Sequence, residues 1–167
     1  GGTKKAVILA TPTYADGEAV FENDYEAEGS ATLAGTKTLN GRSMTADDEW
    51  TFTVTGSVKN DASGAAPKPN GLNASWQATN EGTAIDFGTI SFNQKDIGKT
   101  YVYTIHEERP TDVTADSEGR YNGILYAADQ TIEITVADND GALLITKKNV
   151  TTDTDVTEDS VTDFSVV

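Results

Sequence analysis

Short alternating runs of β-branched and aromatic residues, each closed off by Gly, Asn or Asp, run along most of this chain and leave little room for helix. Strands are expected near 5–10, 18–25, 30–40, 49–57, 84–92, 99–107, 123–127, 129–138, 141–147 and 161–167, with Trp50, Phe52 and Val54 on one face of the fourth. Asp138-Asn139-Asp140-Gly141 has the composition of a hairpin turn between two long strands. The Ala-, Asn-, Gly- and Pro-rich stretch 57–83 reads as a long loop, pinned to the body by Trp76. Strands at this spacing predict an all-β, Ig-like antiparallel β-sandwich. The 167 residues suffice for one such domain with strands to spare.

One strand breaks the apolar rule. In Leu33-Ala34-Gly35-Thr36-Lys37-Thr38-Leu39, alternation places Leu33, Gly35, Lys37 and Leu39 on one face, and the leucines mark that face as buried. An unpaired ammonium there costs several kcal/mol. It snorkels to solvent, pairs with a carboxylate, or loses its charge by chemistry. The strand Tyr101-Val102-Tyr103-Thr104-Ile105-His106-Glu107 offers the acid, since Tyr101, Tyr103, Ile105 and Glu107 again share a face. A lysine and a glutamate enclosed together beneath aromatic cover form an arrangement that can make the amine nucleophilic.

Composition removes competing functions. Twelve Lys+Arg against 27 Asp+Glu give a formal charge of −15, which disfavours nucleic acid and anionic membrane surfaces as partners. There is no apolar run of membrane-spanning length and no signal-peptide pattern. With no cysteine, thiolate metal sites, disulfides and cysteine nucleophiles are excluded, and the single histidine, His106, cannot build a multi-histidine centre. No metal and no cofactor are expected. His106 and Glu108 fall on the face opposite Glu107 and read as surface residues. Asp138–Gly141 lacks the spacing of a calcium loop, and Asp47-Asp48-Glu49 reads as a solvated acidic run. Trp50 and Trp76 read as packing residues rather than a sugar platform. A hydrolase built on paired carboxylates finds no second acid converging with Glu107.

Five blocks occur together in order: Thr36-Lys37-Thr38-Leu39-Asn40-Gly41-Arg42 through Glu49-Trp50-Thr51-Phe52-Thr53-Val54; Phe87-Gly88-Thr89-Ile90-Ser91-Phe92; Lys99 through Glu107; Asn122-Gly123-Ile124-Leu125-Tyr126; and Ile134 through Gly141. In this order, over about residues 30–150, the chain resembles the Ig-like pilin and adhesin domains of Gram-positive surfaces that form intramolecular Lys–Asn isopeptide bonds, of the T-antigen type found in streptococcal backbone pilins. The resemblance implies that Lys37 is the nucleophile, that Glu107 is the proton shuttle, and that an asparagine on a terminal strand is the acceptor. The family's Phe-x-Asn-x-Tyr acceptor motif is matched by Phe21-Glu22-Asn23-Asp24-Tyr25, which lies at the wrong end, while the last strand stops at Val167 just short of an asparagine.

Three arrangements answer that departure. Asn23 belongs to a preceding repeat; or strand 18–25 is donated to a neighbouring molecule, bringing Asn23 to Lys37 in trans; or it folds back in cis, which needs a crossover of about a dozen residues where only 26–29 are available. Residues 1–27 are accordingly expected to be terminal strands of a preceding repeat or a donated strand, and 28–167 an Ig-like domain lacking its last few residues. The expected role is a rigid stalk module of an extracellular, cell-wall-anchored pilus or adhesin. Its only chemistry would be a single-turnover self-crosslink, so it is not an enzyme. Its partners would be adjacent repeats, with strand-swapped self-association as a further possibility. The alternative is an adhesin module that takes a host matrix or glycan ligand through 57–83.

Overall fold

In the computed structural model, the backbone is described for residues 5–15, 18–156 and 160–166, and side chains for residues 26–156. Ten strands follow in chain order: β1 (Lys5–Ala15), β2 (Glu18–Leu39), β3 (Thr51–Val58), β4 (Gln77–Glu81), β5 (Ala84–Asn93), β6 (Thr100–Glu107), β7 (Gln130–Asn139), β8 (Ala142–Asn149), β9 (Thr154–Val156) and β10 (Ser160–Val166). The only described helical element is a 3₁₀ turn at Gln94–Asp96, closed by a capping box in which Asn93 accepts from the Lys95 N–H and Asp96 accepts from the Asn93 N–H.

The strands form two layers. One holds β1, β2, β5 and β10, and the other runs β3-β6-β7-β8-β9; β4 pairs with both β3 and β5 and joins the layers at one edge. Every pairing is antiparallel except that of β10 with β2, which is parallel. The chain is therefore an all-β, Ig-like β-sandwich. Between the layers lie Leu33, Phe52, Val54, Ile85, Phe87, Ile90, Ile105, Ile132, Ile134 and Val136, all buried. Phe52 meets Phe87 edge-on at 6.3 Å, and Phe92 stacks on Tyr101 at 5.8 Å. Each such pair adds about 0.5–1.5 kcal/mol beyond the area it buries.

The structure departs from the strand pattern in four places. The strands expected at 18–25 and 30–40 are one continuous β2: Glu26–Gly29, whose polar and glycine residues look like punctuation, stay extended because β1 pairs through Glu28 on one side and β5 takes over from Glu28 on the other. A fold-back of 18–25 onto 30–40 is thereby excluded. The 57–83 excursion contains a strand, β4, whose Gln77-Ala78-Thr79-Asn80-Glu81 carries no apolar alternation and is held by its two neighbours. β9 is likewise short and polar. The strand expected at 123–127 is irregular chain with one isolated bridge, Tyr121 to Ile124. Trp76 does pack against the core from the excursion.

The β7–β8 hairpin forms as its turn residues require. Asn139 pairs with Ala142, leaving Asp140 (φ 49°) and Gly141 (φ 86°) as a two-residue loop with both residues left-handed.

Candidate functional site

Period-two alternation in β2 and β6 turns Lys37 and Glu107 inward from opposite layers, and both side chains are 0% exposed. Lys37 Nζ lies 2.7 Å from Glu107 Oε1. The other carboxylate oxygen, Oε2, accepts the Ala127 backbone N–H at 3.2 Å. The Trp50 ring covers the amine at 4.5 Å from Nζ to the ring centroid, a placement that favours a cation over the π-face. Trp50 is itself fixed, because its backbone N–H donates to Asn80 Oδ1 at 2.6 Å while Asn80 Nδ2 donates to the Asp48 and Gly82 carbonyls.

The far side of the pocket is built by the loop 108–129. Burial together with the nearby Glu107 charge pushes the Tyr126 hydroxyl pKa up. Arg109 ties the loop at its base: Nη1 donates to the Glu107 carbonyl at 2.5 Å and Nη2 to the Ala127 carbonyl at 3.0 Å. None of Asn80, Arg109, Tyr126 or Ala127 is marked by strand periodicity. The one sequence signal available was the aromatic in Asn122–Tyr126.

Beside β2, on the edge facing away from β5, runs β10. The parallel register sets Phe164 opposite Lys37 and Val166 opposite Leu39. The backbone of Asn23 lies on β2, the same strand as Lys37, paired with Ala10 of β1; its side chain is outside the described residues. From position 23 to 37 an extended strand covers about 46 Å.

The remaining candidates stay apart from the pocket. His106 points outward and pairs with Asp129 at 2.7 Å. Glu108 accepts the Thr53 hydroxyl at 2.5 Å. In the acidic run 47–49, Asp48 is engaged by Arg42 through two contacts of 2.7 and 2.8 Å and by the Thr45 N–H, which holds its pKa far below the carboxylate range. No cluster of three or more potential metal ligands occurs among the described residues. No described helix is long and apolar enough to cross a membrane.

The chain is thus an Ig-like sandwich with an enclosed lysine–glutamate pair bridging its layers. The sequence model of the FctA family, described as the Spy0128-like isopeptide-containing domain, matches residues 33–164. The chain belongs to that family, a pilin-type domain family of Gram-positive bacteria. The match takes in both Lys37 and Glu107, and it begins after Asn23. No curated protein matches the chain.

Proposed function

We propose that this domain is a load-bearing stalk module of a Gram-positive surface pilus or adhesin, and that Lys37 closes it with a self-formed amide to an asparagine side chain. The observation that carries this reading is the 2.7 Å contact between Lys37 Nζ and Glu107 Oε1 inside a fully enclosed pocket.

The chemistry follows from the contact. An ammonium cannot attack a carbonyl, so a proton first passes from Nζ to Glu107 Oε1. The neutral amine adds to the carboxamide carbon of asparagine, forming the C–N bond. Glu107 then moves a proton from the added nitrogen to the departing one, and the old C–N bond breaks. A lysine ammonium, the Glu107 carboxylate and a carboxamide become a secondary amide, a protonated Glu107 and a molecule of ammonia. Fixed proximity supplies about 7–11 kcal/mol relative to the bimolecular reaction. The product is uncharged and no longer bears the desolvation cost of the pair.

The acceptor would arrive on the strand flanking β2, in the lane that β10 occupies, where position 164 faces Lys37. Asn23 would serve from a neighbouring repeat or molecule, a reading supported by its place on the same strand as Lys37.

The adhesin reading rests on the 57–83 excursion, which borders an open cleft of about 540 Å³ lined by residues including Gly71, Asn73, Gln77, Glu81 and Asp86. Three of the polar side chains that line it are already engaged. Asn73 Oδ1 accepts the Ser75 and Gln77 N–H groups, Gln77 Nε2 donates to Thr53, and Asp86 Oδ1 accepts the Gly88 N–H. That cleft is better equipped to hold its own loop than a ligand, which favours the stalk.

Intact mass and tryptic mapping decide the matter. A species one ammonia lighter than the sequence, or a Lys37 peptide joined to an asparagine peptide, is expected. Unmodified Lys37 in folded protein supplied with the asparagine-bearing strand would refute the crosslink.

A further inference from the structure

We infer that Arg109 is a positioning residue for Glu107, acting through the loop 108–129 to hold the carboxylate in its proton-carrying orientation; this rests on the crosslinking reading above.

Glu107 ends β6, where it pairs with Phe52, and the Glu108 N–H still donates to the Thr51 carbonyl before the chain turns into the loop. Main-chain pairing fixes the Glu107 backbone but not the rotamer of its carboxylate. Its orientation is set by what its two oxygens touch: Lys37 Nζ on Oε1 and the Ala127 N–H on Oε2. The Ala127 contact is therefore what keeps Oε1 aimed at the amine. Yet Ala127 lies twenty positions further on, in irregular chain, and something must hold it there.

Arg109 meets that need with geometry that no other described residue offers. One guanidinium nitrogen takes the carbonyl of Glu107, and another takes the carbonyl of Ala127. The planar fork spans the residue that carries the proton and the residue that orients it. The guanidinium also lies 5.7 Å from the Tyr126 ring centroid and 3.4 Å, through Nη1, from His106 Nδ1. These contacts place it between the end of β6 and the returning loop. A lysine, with one ammonium on a flexible stem, cannot reproduce a fork across two carbonyls.

The test compares wild type, Arg109→Ala and Arg109→Lys, each incubated well below its melting temperature with a synthetic peptide of residues 18–25. The rate of amide formation is followed by intact mass. Both variants are expected to slow the reaction by up to about a hundredfold, the scale of a 1 Å misplacement in a preorganised site. Arg120→Ala, at a half-buried arginine of the same loop that pairs with Glu118, should react at the wild-type rate. In parallel, hydrogen exchange at the Ala127 amide should become about fivefold faster in Arg109→Ala, the weight of one ordinary hydrogen bond, with core amides unchanged.

Equal rates in all variants, or full rescue by lysine, would overturn the positioning role. If wild type forms no amide with any acceptor, the crosslinking reading fails. The exchange measurement then still decides whether Arg109 holds Ala127 on the carboxylate, and unaltered exchange would overturn that.

Discussion

At the scale of single residues, two enclosed charges set the largest energies. Removing one member of a buried pair leaves the other without its charge partner, a loss of about 3–5 kcal/mol, whereas replacing both with apolar groups of similar volume is often neutral or better. In the unlinked protein, Glu107→Ala should therefore lower unfolding free energy by about 3–5 kcal/mol, and Lys37→Met with Glu107→Leu should recover most of it. Urea titration reads both, and a double variant as weak as the single would show that the pocket is held by something other than charge pairing. Tyr103 makes a second prediction. Burial, with lesser contributions from Tyr101 and Asp96, pushes its hydroxyl pKa up, and that hydroxyl donates to the Pro67 carbonyl at 2.7 Å. A folded pKa above the unfolded value of about 10 gives stability that is complete below pH 10 and is lost as pH rises toward the folded value. Chemical denaturation at pH 9, 10 and 11 should show a fall approaching 1.4 kcal/mol per unit from this residue, and Tyr103→Phe should flatten that part of the slope.

At the scale of elements, what could be read from the sequence depended on whether side-chain period or neighbours decide the backbone. Lys37 and Glu107 are legible in the sequence because β2 and β6 alternate cleanly, which assigns each to the buried face of its strand. The β7–β8 hairpin was legible because Asp140 and Gly141 are residue types that accept positive φ. β4 was not, since its five residues are polar and owe their extension to β3 and β5. The continuity of β2 was hidden by Glu26, Glu28 and Gly29, which read as a break but are ordinary strand residues once flanked on both sides. Nor could the pocket's loop half be read, because Arg109 and Ala127 act through main-chain carbonyls and an amide. One junction tests element docking directly. Gly88 has φ 91°, and a Cβ there would stand 2.1 Å from the Gly71 nitrogen, where the excursion meets β5 through the Asn70 and Gly71 amides. Gly88→Ala forces both a disfavoured backbone and a clash, so it should cost at least about 2 kcal/mol. A melting temperature unchanged from wild type would mean that the excursion is not docked as described.

At the scale of the whole molecule, the parallel pairing of β10 with β2 decides where a crosslink would matter. Tension applied between two parallel neighbouring strands loads their hydrogen bonds in shear, so they fail together rather than one after another. An amide from Lys37 across this lane would replace that cooperative failure with a covalent limit. The same geometry restricts the donor. Asn23 and Lys37 share one strand about 46 Å apart, so a bond between them must join two repeats or two molecules. The incoming strand must also take the lane beside Ala34–Leu39 that β10 fills. Linking through Asn23 in this chain should accordingly be bimolecular, slow at low concentration, and speeded by weakening β10. Incubating the protein over a hundredfold concentration range should give a ladder that survives boiling in detergent, growing with concentration, each rung one ammonia lighter per bond. Asn23→Ala and Lys37→Ala should each abolish the ladder, and mixing those two variants should restore a single rung, the dimer, because one still carries the amine and the other the carboxamide. A ladder that persists in Asn23→Ala would assign the acceptor to another asparagine. A light monomer whose yield is independent of concentration would place that acceptor within the same chain.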